Sequence, residues 1–183
     1  MLKLSENPPM LSPGVGSLQE LSETWWVAHT KARCEKAFAL DLLDREIGFF
    51  LPMLERVRII SGKKRRVLLP LFPSYVFFCG DREQRQRALL TDRLCATIEV
   101  RDQQKLIDEL SSIQRLLDAK VDVEPHPQLA TGQRCRIKEG PFAGMEGKVL
   151  QHSRPARFVL EVGMLGQGAS MEIDAELLEP ACS

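Results

Sequence analysis

The sequence lacks the marks of a catalyst. No G-x-S-x-G, P-loop, H-E-x-x-H or G-x-G-x-x-G following a strand occurs in its 183 residues, which removes the commonest signatures of hydrolases, zinc proteases and nucleotide binders. Residues 163–168 are glycine-rich, yet they carry no lysine and lead into no helix, so they read as a loop and not as a phosphate cradle. The five cysteines (Cys34, Cys79, Cys95, Cys135, Cys182) are odd in number and form no C-x-x-C pair, and His29, His126 and His152 lie far apart. That spacing argues against a disulfide framework and against a metal site, and it suits a reducing compartment. Neither sign of charge is in excess, with 25 Lys and Arg against 25 Asp and Glu, so any attraction to nucleic acid has to be local. No apolar run approaches the ~18 residues of a membrane span. The first twenty residues mix Pro, Gly and acids, unlike a signal peptide. The expectation is a cytoplasmic, monomeric, non-enzymatic protein without cofactor or metal.

What is present divides into two textures. Residues 1–23 read as a disordered leader without hydrophobic period. A strand is expected at 25–29, a helix over 31–46 ended by Gly48, and a β-hairpin through residues 57–69 about Ser61-Gly62. Residues 74–79, apolar on both faces, predict a central strand. Asp81 is placed to cap a helix over 82–91, residues 97–100 form an edge strand, and Asp102 is placed to cap a helix with the stripe Leu106, Ile107, Leu110, Ile113 and Leu117. This order predicts an α+β fold, an antiparallel sheet with flanking helices, over residues 24–117. Residues 118–130 read as a proline-bearing linker. From 131 to 181, short alternating runs separated by Gly and Pro turns predict a small SH3-like β-barrel.

Two stretches carry a resemblance. Residues 132–149 (GQRCRIKEGPFAGMEGKV) resemble a KOW motif: Ile137 and Val149 point into a small barrel, Gly140, Pro141, Gly144 and Gly147 shape its turns, and Phe142 plugs one end. Residues 70–78 (PLFPSYVFF) resemble the Phe-Pro-x-Tyr segment of the NusG/RfaH family. Trp25-Trp26, Pro52 and the basic hairpin precede it at fitting intervals. By this resemblance the chain is similar to a specialised NusG paralogue, a transcription elongation and antitermination factor.

The resemblance implies that Phe72, Pro73, Tyr75, Phe77 and Pro52 form an exposed apolar groove for the β′ clamp helices of RNA polymerase. On residue type alone, aromatics on a central strand are more often core. The family further implies that Gln86, Arg87 and Ala88 face the β-subunit gate loop. Lys63, Lys64, Arg65 and Arg66 at the hairpin tip would meet DNA phosphate, and Lys31 and Arg33 the non-template strand. The barrel is expected to recruit termination factor Rho or a small-subunit ribosomal protein. The alternative is a KOW-type RNA- or ribosome-binding protein, using Arg134, Arg136, Lys138, Lys148, Arg154 and Arg157. The glycines of residues 140–147 oppose a helix, so a permanent barrel is expected.

Overall fold

The computed structural model describes residues 6–60, 62–126, 132–150 and 155–181. Ser61 of the hairpin turn, residues 127–130 of the expected linker, His152, Arg154 and Cys182 lie outside the described residues. By its internal contacts the chain forms two compact units, Met1–Ile107 and Asp108–Ser183. The division falls inside a helix, and not within residues 118–130 as the proline-bearing composition suggests.

In the first unit, β1 (Trp25–Thr30), β2 (Gly48–Phe50), β5 (Tyr75–Cys79) and β6 (Leu94–Glu99) make a four-stranded antiparallel sheet in the order β2-β5-β1-β6. The strand expected to be central is interior, and the expected edge strand is an edge. Strands alternate their side chains between faces. Phe49, Val76, Phe78 and Ala28 therefore point to one face, where they pack with Phe38, Ala39 and Leu42 of α1 (Glu35–Asp44) and Ala88 of α2 (Arg82–Leu89). The opposite face carries Trp25, Val27, Phe50 and Phe77, all buried. Asp81 closes a full capping box with Gln84 at the start of α2. Asp102 accepts from the Lys105 amide at the start of α3 (Gln103–Asp118), as its position predicts. β3 (Met53–Ile60) and β4 (Lys63–Pro70) form a separate two-stranded ribbon closed at Gly62, whose φ of 76° suits a tight reversal.

Residues 6–23 differ from the mobile leader that their composition predicts. Leu11 bridges Phe50, Ser12 exchanges hydrogen bonds with both the amide and the carbonyl of Phe49, and the Leu51 amide donates to Met10. Leu18 is fully buried in a 3-10 turn, Leu18–Glu20. The cause is the open side of β2, whose unpaired backbone groups need partners. Scattered apolar residues suffice for such a strap, and a search for periodicity passes over them.

In the second unit, β7 (Val123–His126), β8 (Gln133–Ile137), β9 (Glu146–Leu150), β10 (Ala156–Val162), β11 (Gln167–Ile173) and β12 (Leu178–Pro180) join in the antiparallel order β12-β8-β9-β10-β11-β7. This sheet is consistent with a small β-barrel. β7 lies within the stretch that reads as a linker: Val123 is buried, and the strand pairs with the free edge of β11 despite Pro125. The KOW-like residues 132–149 supply β8, a turn and β9. Ile137 and Phe142 are buried there and Val149 is half-buried. Gly140 and Gly144 have φ of 88° and 84°, so they are turn glycines. Gly147 is different. A β-carbon there would meet the Val159 carbonyl at 2.5 Å and the Phe158 ring at 2.6 Å, so its role is close packing between strands.

Candidate functional site

The segment Phe72-Pro73-Ser74-Tyr75 is a β-turn, closed by the Tyr75 amide donating to the Phe72 carbonyl at 3.2 Å. Proline in second place and a φ of 67° at Ser74 in third are the pattern of a type II turn, which favours glycine where this chain has serine. The turn leads straight into β5. Pro73 is exposed, and Tyr75 is half-buried with its ring stacked on His29 of β1, centroids 5.2 Å apart and planes inclined by 27°. His29 and Tyr75 are cross-strand partners, so sheet register brings the rings together. Around this corner, Pro73, Tyr75 and His29 present one apolar, partly polar surface.

Phe72 and Phe77 do not share it. Both are buried, which corrects the expectation of a solvent-facing groove across all three aromatic positions. They pack against each other: Phe72 stands edge-on to Phe77 at 6.0 Å, and Phe50 lies on the same ring at 6.5 Å. Three rings at these separations satisfy their aromatic edges and faces within the protein. Pro52 is also buried, and its carbonyl accepts from the Leu71 amide at 2.8 Å. The corner is thus narrower than the resemblance implies, with Pro73 and Tyr75 as its accessible members. His29 was missed. Its parity with Trp25 and Val27 along β1 is the signal that could have placed it on the Tyr75 face.

The helix α2 presents Gln86 and Arg87 to solvent, but Ala88 is fully buried in the core. The expected gate-loop trio is therefore reduced to two. A small residue one position on from two exposed ones turns inward because helical neighbours lie about 100° apart around the axis. Leu89 and Leu90 beside them are exposed, at 39% and 81%.

The hairpin tip carries the densest positive charge. Lys63, Lys64, Arg65 and Arg66 are all exposed, and register sets Arg58 directly opposite Arg65. Arg66 reaches Glu55 at 3.4 Å; among the described residues, Arg58, Lys63, Lys64 and Arg65 have no carboxylate partner. Like charges opposite one another destabilise an isolated ribbon, so an anion at this tip would relieve them. Val57 and Ile59, at 61% and 73% exposure, share the tip with the cations. Lys31 and Arg33 lie in the connection between β1 and α1. Arg33 is exposed with φ 63°, whereas Lys31 is held by Asp92 at 2.7 Å. That hydrogen bond with Lys31 holds the Asp92 carboxyl below its ordinary range.

On the second unit the basic strip is largely neutralised. Arg134 and Arg136 both engage Glu146, at 3.4 and 2.5 Å, Lys148 engages Glu161 at 3.0 Å, and Arg157 engages Glu124 at 3.4 Å. The Arg136 hydrogen bond keeps the Glu146 carboxyl below its usual range. Four of the six cations named for RNA contact are thus already paired, which weighs against a phosphate-facing strip. Among the described residues no group of three or more His, Cys, Asp or Glu could hold a metal ion, and no helix is long and apolar enough to cross a membrane.

Comparison with known proteins settles the lineage. The family model described as "Transcription termination factor nusG" matches residues 23–126, more than half of the 183 residues. The chain belongs to the NusG family. The matched span contains the Phe72–Tyr75 turn, the basic hairpin and α2. A curated relative from Pseudomonas aeruginosa, "Transcription termination/antitermination protein NusG", is 24% identical over 175 residues, covering 87% of this chain and 99% of that protein. Among solved structures, one described as "Domain interaction in Thermotoga maritima NusG" aligns at 17% identity and a TM-score of 0.46, over 86% of this chain and 96% of its own. A second, the MjSpt4:Spt5 complex, aligns at 15% identity and a TM-score of 0.28, over 87% and 97%. This NusG-family chain is therefore a transcription termination/antitermination factor by family. The family match begins at residue 23, so the strap of residues 6–22 lies outside it.

Proposed function

We propose that this chain is a non-enzymatic elongation and antitermination factor whose first unit docks on RNA polymerase and whose second unit, a KOW barrel, recruits another partner. The first unit, Met1–Ile107, is the polymerase-binding part, and the sheet of the second unit, from Val123 onward, is the barrel. The observation that carries the reading is the accessible Pro73–Tyr75 corner, where Pro73 is exposed and the half-buried Tyr75 ring is stacked on His29 of the neighbouring strand. A ridge of apolar knobs, such as the β′ clamp helices present, finds there a partly polar aromatic surface of the kind that dominates interface energies. Docking changes no bond; it biases the polymerase between clamp states by binding one of them better. Gln86 and Arg87 extend the contact toward the gate loop. The unpaired cations of the hairpin tip support contact with DNA phosphate, a contact that holds position without reading sequence. The barrel, tethered to a docked domain, raises its partner's effective concentration; Rho and a small-subunit ribosomal protein are the partners the resemblance suggests.

The test is retention of the full chain on immobilised core RNA polymerase. Tyr75→Ala is expected to weaken binding by about 2 kcal/mol or more, the range of a hot-spot truncation. Replacing Lys63, Lys64 and Arg65 together by Ser should lower affinity for the polymerase–DNA complex and flatten its salt dependence. It should leave binding to the DNA-free enzyme alone. A folded Tyr75→Ala chain retained as well as the wild type refutes the docking corner.

A further inference from the structure

Ser74 is the weak point of the corner. It holds a left-handed backbone that serine disfavours. Its amide lies at the third position of the turn, where the closing hydrogen bond is made by Tyr75 and not by Ser74. That amide is an orphan donor in a partly buried place, and such groups need a partner. It has one. The Ser74 amide donates to the Glu35 carboxylate at 2.7 Å, across 39 residues of sequence. Glu35 opens α1 and is itself buried, at 7% exposure, which is unusual for a carboxylate. The other side of the same residue is tied to β1, because the Thr30 amide donates to the Ser74 carbonyl at 2.8 Å. One strained residue is thus clamped between the first turn of α1 and the end of β1, directly before Tyr75.

We infer that Glu35 is the positioning residue of the docking corner: its buried carboxylate holds Ser74 in the left-handed conformation and so sets the direction in which Pro73 and Tyr75 are presented. The inference rests on the polymerase-docking reading for its consequence, though not for its geometry. A charged acceptor makes a stronger hydrogen bond to an amide than a neutral one, and here that strength offsets the strain of serine in a glycine's place. Glutamine at 35 keeps an oxygen acceptor of the same reach and keeps most of the function. Alanine removes it. Only the Thr30 and Tyr75 hydrogen bonds then hold the turn against the strain, Ser74 relaxes toward negative φ, and the Pro73–Tyr75 corner swings away from His29. Glycine at 74 takes the left-handed conformation freely, so Ser74→Gly repairs the loss of Glu35. A merely structural carboxylate would not be repaired in this way.

The experiment compares the full-length wild type, Glu35→Gln, Glu35→Ala, Glu35→Ala with Ser74→Gly, and Tyr75→Ala, by two measurements. The first is amide exchange of Ser74 together with the nuclear Overhauser contact between the His29 and Tyr75 rings, with no partner present. Glu35→Ala is expected to exchange the Ser74 amide at least tenfold faster and to lose the ring contact. The double variant regains the ring contact, and Glu35→Gln stays within about threefold of the wild type. The second is affinity for core RNA polymerase, expected to fall tenfold or more in Glu35→Ala and to return within about threefold in the double variant. An unchanged ring contact and Ser74 exchange in Glu35→Ala overturn the inference, and so does a Glu35→Ala defect that Ser74→Gly fails to repair. If the first measurement behaves as expected while Tyr75→Ala binds polymerase like the wild type, the positioning stands and the docking reading falls.

Discussion

Gly147→Ala is the substitution whose effect follows most directly from the coordinates, with Gly144→Ala as its control. A β-carbon at 147 arrives 2.5 Å from the Val159 carbonyl oxygen, where ordinary contact starts at 3.4 Å, so β9 and β10 have to part by about 0.9 Å. The Phe158 ring, at 2.6 Å and fully buried, closes the other escape. Forcing one methyl into such a core costs about 1–3 kcal/mol, and the backbone obstruction places this site near 3. At Gly144 a β-carbon meets nothing within 4 Å, and only the φ of 84° opposes it. Left-handed strain of about 1–2 kcal/mol is there offset in part by the ~0.4–1 kcal/mol that alanine removes from the unfolded chain's entropy. The expected net cost is about 1 kcal/mol. Amide exchange in β9 and β10 is the assay. Protection should fall about 100-fold for Gly147→Ala and about fivefold for Gly144→Ala, at tenfold per 1.4 kcal/mol. Equal losses, or the greater loss at 144, would refute the assignment of Gly147 to close packing.

Further outcomes are expected at Ala88, Gln86 and Cys79. Ala88→Glu should destabilise the first unit by about 3 kcal/mol or more, since it places a charge among Phe38, Leu42 and Phe78, whereas Gln86→Glu should leave the urea midpoint within about 0.5 kcal/mol of the wild type, as an exposed site does. Burial pushes the Cys79 thiol up to about 12 from an ordinary 9.0, so at pH 8 the exposed Cys95 should be alkylated quickly and Cys79 only on unfolding. The folded state disfavours the Cys79 thiolate more than the unfolded chain does, so its contribution to stability is complete below about pH 9. It should drain away as pH climbs toward 12, a slope that Cys79→Ala removes.

The regular elements were legible because each rests on a local signal. Asp81 and Asp102 mark helix starts through their own side chains, residues 74–79 are apolar on both faces as an interior strand must be, and the glycines of residues 140–147 exclude a helix. The misses are positions where tertiary contacts decide. Residue type alone favours core for Phe72 and Phe77 and the family resemblance implies exposure; they are buried, because Phe77 meets both Phe72 and Phe50, the latter through sheet register and not through sequence neighbourhood. Ala88 sits beside two exposed residues and only the packing of α2 turns it inward. Glu35 left no trace at all, because its partner is a backbone amide 39 residues away. Asp118 and the prolines after it suggest a break, but Val123 finds a free strand edge and builds one more rung.

The strap of residues 6–22 bears on how this protein is dissected. Trimming at residue 23, where the shared family pattern begins, would strip Met10, Leu11, Ser12 and Leu18 from the sheet and uncap the outer border of β2. A bare border of that kind recruits other chains. Chimeras that take residues 23–107 from this chain should therefore carry residues 6–22 with them, because the part that folds is larger than the part that is recognisable.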